Sequence, residues 1–194
     1  MDQFARIVLG YHGAKAGDSA AYANSLLMGE VNVANWKLST NDYDWLGDGI
    51  YFWEHSFERA QDWAGPDGVV IGAVIQLGKC LDLTDRQSTQ LLRTTYDELA
   101  TAYQTRGWSL PRNGGRDLKL RRLDCLVINN LCTKLKEVDV VRGAFEEGEE
   151  AFPGSALKIE THIQIAVRKW TCILGIFRPT LTMHPQKNQD GDQS

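Results

Sequence analysis

Nothing in this 194-residue sequence approaches the roughly 18 consecutive apolar residues of a membrane-spanning helix, and no membrane contact is expected. The opening residues, MDQFARIVLGYHG, lack a basic segment and a small-residue cleavage site, so no signal peptide is expected. Cysteine is scarce. The four thiols, Cys80, Cys125, Cys132 and Cys172, form no C-x-x-C pair, and no histidine stands near them at a metal-ligand spacing. That excludes a zinc finger and a disulfide scaffold. The thiols read as reduced, mostly buried groups of a cytoplasmic protein. The four histidines are scattered, which gives no ligand set for a metalloenzyme. Positive charge is not in excess: a net charge of -4 argues against wholesale coating of nucleic acid, while a local basic patch remains open.

What is present is ordinary for a globular domain, with 43% apolar and 24% charged residues. The length suits one good core. Short apolar runs at 6–11, 49–53 and 69–78 predict strands. Capped, periodic segments at 17–29, 57–64, 83–103 and 123–135 predict helices, with caps expected from Asp18, Ser56 and a Thr84–Gln87 box. Residues 138–143 and 171–179 predict further strands. The most regular pattern is LKIETHIQIAVR, 157–168, where Leu157, Ile159, Ile163, Ile165 and Val167 alternate with Lys158, Glu160, His162, Gln164 and Arg168. Helices cluster in the first two-thirds and strands at both ends, so the expected class is α+β. Residues 1–183 are expected to form one domain, followed by a polar tail at 184–194.

Three stretches concentrate groups that can hold a ligand. In GYHGA, His12 follows a strand and precedes a glycine that lets a ligand approach the backbone. In WLGDGIYFWE, Gly47 and Gly49 form a tight turn that aims a strand at Tyr51, whose ring can stack on a flat heteroaromatic group. In the third, Glu160, His162 and Gln164 fall on one face of the late strand. Taken singly, each also fits a bland reading: a strand end, a turn with core aromatics, a solvated strand face.

Together and in this order, they resemble the ADP-ribosyltransferases of the poly(ADP-ribose) polymerase and diphtheria-toxin type. Those enzymes carry a His-Gly after the first strand, a G-x-G-[IF]-Y-F strand running into a short helix, and a glutamate or its substitute on a late strand. Here these stand as YHGA at 11–14, GDGIYFWE at 47–54 and QIAV at 164–167. Residues 79–156 carry no matching motif.

The resemblance implies two packed, mainly antiparallel sheets around an NAD cleft with flanking helices. It implies His12, Tyr51 and Gln164 as the catalytic set: His12 on an adenosine-side ribose hydroxyl, Tyr51 on the nicotinamide ring, Gln164 in place of the glutamate. Tyr11, Gly13, Gly49, Phe52 and Trp63 would contact NAD, with the Gly13 backbone holding the carboxamide. Glutamine keeps a hydrogen bond but is neither base nor anion, which favours transfer of a single ADP-ribose, or hydrolysis of NAD, or a binding module without turnover. Glu160 and His162, and Arg112 and Arg116 in the basic loop 105–122, are the residues expected to meet an acceptor, either protein or nucleic acid. A toxin or phage-defence role, and an inhibitory partner protein, follow by analogy alone.

Overall fold

The computed structural model describes residues 6–180, so the polar tail lies outside the described residues. The order is β1 (Ile7–Ala14), α1 (Asp18–Leu27), β2 (Ile50–Glu54), α2 (Phe57–Ala64), β3 (Val69–Gln76), β4 (Cys80–Asp82), α3 (Arg86–Thr105), α4 (Arg122–Leu135), β5 (Val140–Phe145), β6 (His162–Val167) and β7 (Ile173–Phe177). The class is α+β. The strands form one seven-stranded sheet in the order β4-β5-β6-β2-β1-β3-β7. Every neighbouring pair is antiparallel except β4–β5. The expectation of two sheets is therefore corrected: β6 pairs with β5 on one side and β2 on the other, and this joins the two halves.

Strand alternation sorts the side chains onto two faces. One face carries Phe52, Ile71, Ile75, Val140, Ile165 and Val167, covered by Ala23 and Leu26 of α1 and by Trp36. The other face is covered in two places. Over β1 and β3, α2 packs Ala60 and Ala64 against Val70, Tyr11 and Trp53. Over β5 and β6, α4 packs Ile128 and Leu131 against Val141, Ala166 and Leu46. The middle of this face, on β2 and β6, belongs fully to neither helix, and the candidate site lies there.

Polar groups are also built into the first face. The Arg142 guanidinium of β5 grips both oxygens of Glu54 on β2, at 2.6 and 3.0 Å, and donates to Asp82 of β4 at 3.1 Å. Asp82 accepts further from the Thr84 amide and hydroxyl and from Arg6.

Several local expectations change. The strand of 157–168 begins only at His162, because residues 147–159 bond among themselves: Ala151 N–H donates to Leu157 O and Ile159 N–H to Glu149 O. Leu157 and Ile159 are consequently 70% and 62% exposed instead of joining the core. Position 85, not 84, caps α3: Asp85 accepts from Ser88 N–H, while the Thr84 hydroxyl is used by Asp82. Ser56 stands at the N-cap of α2 without a side-chain bond, and Gly17, not Asp18, is the N-cap of α1. Strand β4 lies outside the expected elements; its residues alternate, with Cys80 in the cluster under α1 and Leu81 in the cluster under α4.

Candidate functional site

At the join of β1 and β2 the ladder stops early. Pairing runs through Gly10↔Glu54 and Tyr11↔Trp53, and His55 N–H donates to Leu9 O. By the alternation of an antiparallel pair, Gly13 would next exchange bonds with Tyr51. Instead the His12 ring takes the Tyr51 carbonyl, with Nδ1 2.8 Å from the oxygen. Because a carbonyl only accepts, Nδ1 carries the proton and Nε2 is left as an acceptor. Among the described residues nothing donates to that Nε2. The ring packs edge-on to Trp36 and Phe52 at 5.1 and 5.8 Å. Burial lowers its pKa against the opposing effect of the carbonyl bond, so the imidazole is neutral.

Gly13, meanwhile, keeps its β3 pairing with Val70, and α2 lies hard against it. A Cβ there would stand 2.2 Å from Ala60 O and 3.2 Å from Trp63 Cδ1, so only glycine fits.

The Gly-Asp-Gly turn has a structural explanation that the sequence did not disclose. Gly47 has a φ of 73°, and Asp48 N–H donates to Asn129 Oδ1 at 2.9 Å, while Asn129 Nδ2 donates back to Asp48 at 2.9 Å. Arg168 donates to Asp48 O at 2.9 Å. The Tyr51 hydroxyl completes the clamp: it donates to Gly47 O at 2.6 Å and accepts from Leu46 N–H at 2.8 Å. Burial therefore holds the phenol in its neutral form.

Gln164 sits opposite Trp53 on β2 and Gly143 on β5, on the same face as Tyr51 and Trp53. It is 9% exposed, and His162 is 6% exposed, so this face of β6 is not the solvated face that alternation alone suggests. Gln164 Nε2 lies 3.1 Å from His162 Nε2, and His162 Nδ1 lies 2.8 Å from Glu160 O. Arg59 of α2 bridges Glu147 at 2.7 Å and Glu160 at 2.9 Å, tying the 146–161 segment to the helix. Glu147 also comes within 3.8 Å of His162 Nε2. The rings of Trp45 and Phe145 flank His162 at 6.4 and 6.0 Å.

The structure thus places Gly13, Tyr51, Gln164 and His162 on one face of the sheet, with Trp63 of α2 against Gly13 and Glu160 tied to α2 through Arg59. His12 joins from the opposite side through the Tyr51 backbone. Trp63 is 54% exposed, between Trp53 at 6.0 Å and Lys15, whose ammonium stands 4.2 Å from its ring. Two other expected contacts are corrected. Phe52 is wholly buried against His12 and cannot touch a ligand. Gly49 is pressed against Ala166, where a Cβ would stand 2.9 Å from the Ala166 side chain, so its role is packing. Tyr11 stacks edge-on to Phe57 and Phe177 at 5.9 and 6.4 Å. Arg112 and Arg116 are exposed in the 105–122 loop, and Arg116 pairs with Asp117 at 3.6 Å.

Three participants were not singled out in the sequence. The Trp53 indole N–H is buried without a partner, beside Gln164 across the β2–β6 pair. Glu147 and Arg59 are unremarkable in a charged segment and a short amphipathic helix; the only available signal was their position flanking the Tyr51 and Gln164 strands. A cavity of about 400 Å³ opens at His12, bordered by Asp18, Ser19, Tyr22, Trp36 and Lys37. Among the described residues no cluster of His, Cys, Asp and Glu could hold a metal ion, and no helix is long and apolar enough to cross a membrane. Burial pushes Cys80 up to about 12 and Cys125 to about 11, so neither thiol is a ready nucleophile.

The buried neutral imidazoles set a pH dependence. Burial lowers the pKa of both His12 and His162, whereas the unfolded chain titrates near about 6.5. Below that pH the unfolded state binds protons that the folded state does not, so stability falls as pH falls. Burial opposes ionisation of Asp82 and Asp139, but hydrogen bonds and nearby cations outweigh it and depress both pKa values. Their contribution is present above the usual carboxylate range and is lost as pH drops through the depressed values. Thermal melts are therefore expected to hold level from pH 8 to 7, decline from about 6.5 and steepen below about 4. A midpoint unchanged between pH 7 and 5 contradicts the neutral assignment of the two histidines.

Set against models of known protein families, curated proteins and solved structures, this chain matches none.

Proposed function

We propose that this protein is an NAD-dependent mono-ADP-ribosyltransferase, with Tyr51, Gln164, His12 and the Gly13 backbone as its NAD-handling groups. The observation that carries the reading is the early end of the β1–β2 ladder. It leaves the Gly13 backbone outside the pairing on the side facing Tyr51, on the face that also bears Gln164. A carboxamide offers one acceptor and two donors, which complements a glycine N–H and C=O presented side by side. Tyr51 stands beside that position to stack on the pyridinium ring. The cavity at His12 suits the adenosine half, with Nε2 accepting from a ribose hydroxyl and Lys37 at the border as a cation for phosphate.

In the reaction the bond between ribose C1′ and nicotinamide breaks, and its electron pair leaves on nicotinamide. An acceptor oxygen or nitrogen bonds to C1′ from the opposite face and releases its proton to water. The protein contributes orientation and a dipole aimed at the positive charge that builds on the ribose. The neutral amide at 164 gives support to a second reading, a module that binds NAD or ADP-ribose without turnover, with NAD hydrolysis as the intermediate case.

The test uses NAD labelled in its adenylate half, incubated with the protein alone, with lysate proteins, and with RNA and DNA. Label on a macromolecule is the expected result and identifies the acceptor class. Label only in free ADP-ribose makes the protein a glycohydrolase. Intact NAD in every tube rejects the enzyme reading.

A further inference from the structure

Resting on that NAD reading, we propose that His162 is a positioning residue: it fixes the carboxamide of Gln164 so that Oε1, not the amide nitrogen, is presented to the ribose. The hydrogen-bond chain dictates this orientation. The Glu160 carbonyl can only accept, so His162 Nδ1, 2.8 Å away, carries its proton. The neutral imidazole then has a lone pair at Nε2. Gln164 Nε2 at 3.1 Å must donate to it, which turns Oε1 the other way. Among the described residues nothing donates to Gln164 Oε1. The His162 side chain is 1% exposed, so it acts through Gln164 and does not itself meet a ligand.

The support under His162 is rigid. Glu160 N–H donates to Glu147 O at 3.1 Å, and Arg59 bridges the carboxylates of both residues, which holds the Glu160 carbonyl in place. Trp45 and Phe145 flank the ring. The charged groups around it are Arg59 from α2, Glu147 and Glu160 from the 146–161 segment, and Lys119, which pairs with Glu147 at 3.6 Å. Burial and Arg59 disfavour the imidazolium, while the Glu160 carbonyl and the two carboxylates favour it; burial is the largest and the net effect is a lowered pKa.

The orientation matters because of its sign. An amide oxygen is the negative end of a dipole and stabilises the positive charge that grows on the ribose; the amide NH2 is the positive end and opposes it. Protonation of His162 would turn Nε2 into a donor, and Gln164 would have to reverse. This also gives a reason for glutamine at this position: a carboxylate at 164 would face the Nε2 lone pair and could bond to it only after His162 is charged.

The experiment measures nicotinamide release and ADP-ribose binding for wild type, His162→Phe and His162→Asn, with circular dichroism to confirm folding. His162→Phe, which removes the acceptor but keeps a flat ring, is expected to lower kcat about ten- to a hundredfold with KM and ADP-ribose affinity changed little. His162→Asn, whose side-chain oxygen can again accept from Gln164, is expected to recover part of the loss. Full kcat in His162→Phe overturns the proposal and leaves the NAD reading standing. No recovery of kcat in His162→Asn over His162→Phe likewise overturns it. Wild-type protein that neither binds nor cleaves NAD overturns the NAD reading, and this proposal with it.

Discussion

Arg142→Met is expected to lower the unfolding free energy by about 3–5 kcal/mol. Arg142 of β5 bridges Glu54 of β2 and Asp82 of β4, so the three side chains span four neighbouring strands of the sheet. All three side chains are nearly buried. The two-pronged grip on Glu54 joins β5 to β2 over the intervening β6. Methionine fills much of the same volume, so the loss reports the broken ion pairs with Glu54 and Asp82 and not a cavity. Urea denaturation at pH 7 measures it. Arg116→Met is the control, because its pair with Asp117 lies on the surface and is expected to contribute nothing measurable. A change below about 1 kcal/mol in Arg142→Met would mean that Glu54 and Asp82 are satisfied by water.

Tyr51→Ala is expected to reduce nicotinamide release from NAD at least about a hundredfold, because the ring that orients the leaving group is gone. The change also reaches the fold. The ring packs against the α4 cluster, and its hydroxyl ties Leu46 and Gly47 into their turn, so a stability loss of about 2–4 kcal/mol is also expected. Tyr51→Phe separates the two effects. It keeps the stacking surface and leaves Leu46 N–H without its acceptor, so it is expected to lose about 1–2 kcal/mol of stability and to keep release within about threefold of wild type. Both are read by a fixed-temperature release assay beside a denaturation curve. If Tyr51→Ala releases nicotinamide at the wild-type rate, Tyr51 is only the keystone of a turn.

Where apolar patterning had no competitor, the sequence was a good guide. Val69–Gln76 is a buried run and became an inner strand; Phe57–Ala64 is amphipathic between a strand and a Gly-Pro turn and became α2 with those bounds. The α+β class followed from such elements. The 157–168 segment misled because alternation carries no information about where the partner strand ends. Its first five residues bond to the preceding acidic segment, and only His162–Val167 enters the sheet. The site was legible as residue types but not as contacts. His12, Tyr51 and Gln164 stood out by their neighbours in the chain, whereas Trp53, Arg59 and Glu147 take part only through β2–β6 pairing and an ion bridge between residues 88 positions apart. Likewise Gly49 and Phe52 share a motif with Tyr51, yet strand alternation turns Phe52 to the opposite face.

The four buried thiols are also four clocks. Cys80 stands on β4, Cys125 and Cys132 lie about two turns apart along α4, and Cys172 precedes β7. None can meet a maleimide until its own part of the fold opens, so each alkylation rate reads the free energy of one local excursion. Peptide mass mapping of a partly labelled sample resolves the four in a single time course. Because α4 and β7 lie at opposite ends of the sheet order from one another, a ligand that clamps the middle strands would slow all four together, while one that binds only the His12 cavity would leave the Cys125 and Cys132 rates as they were.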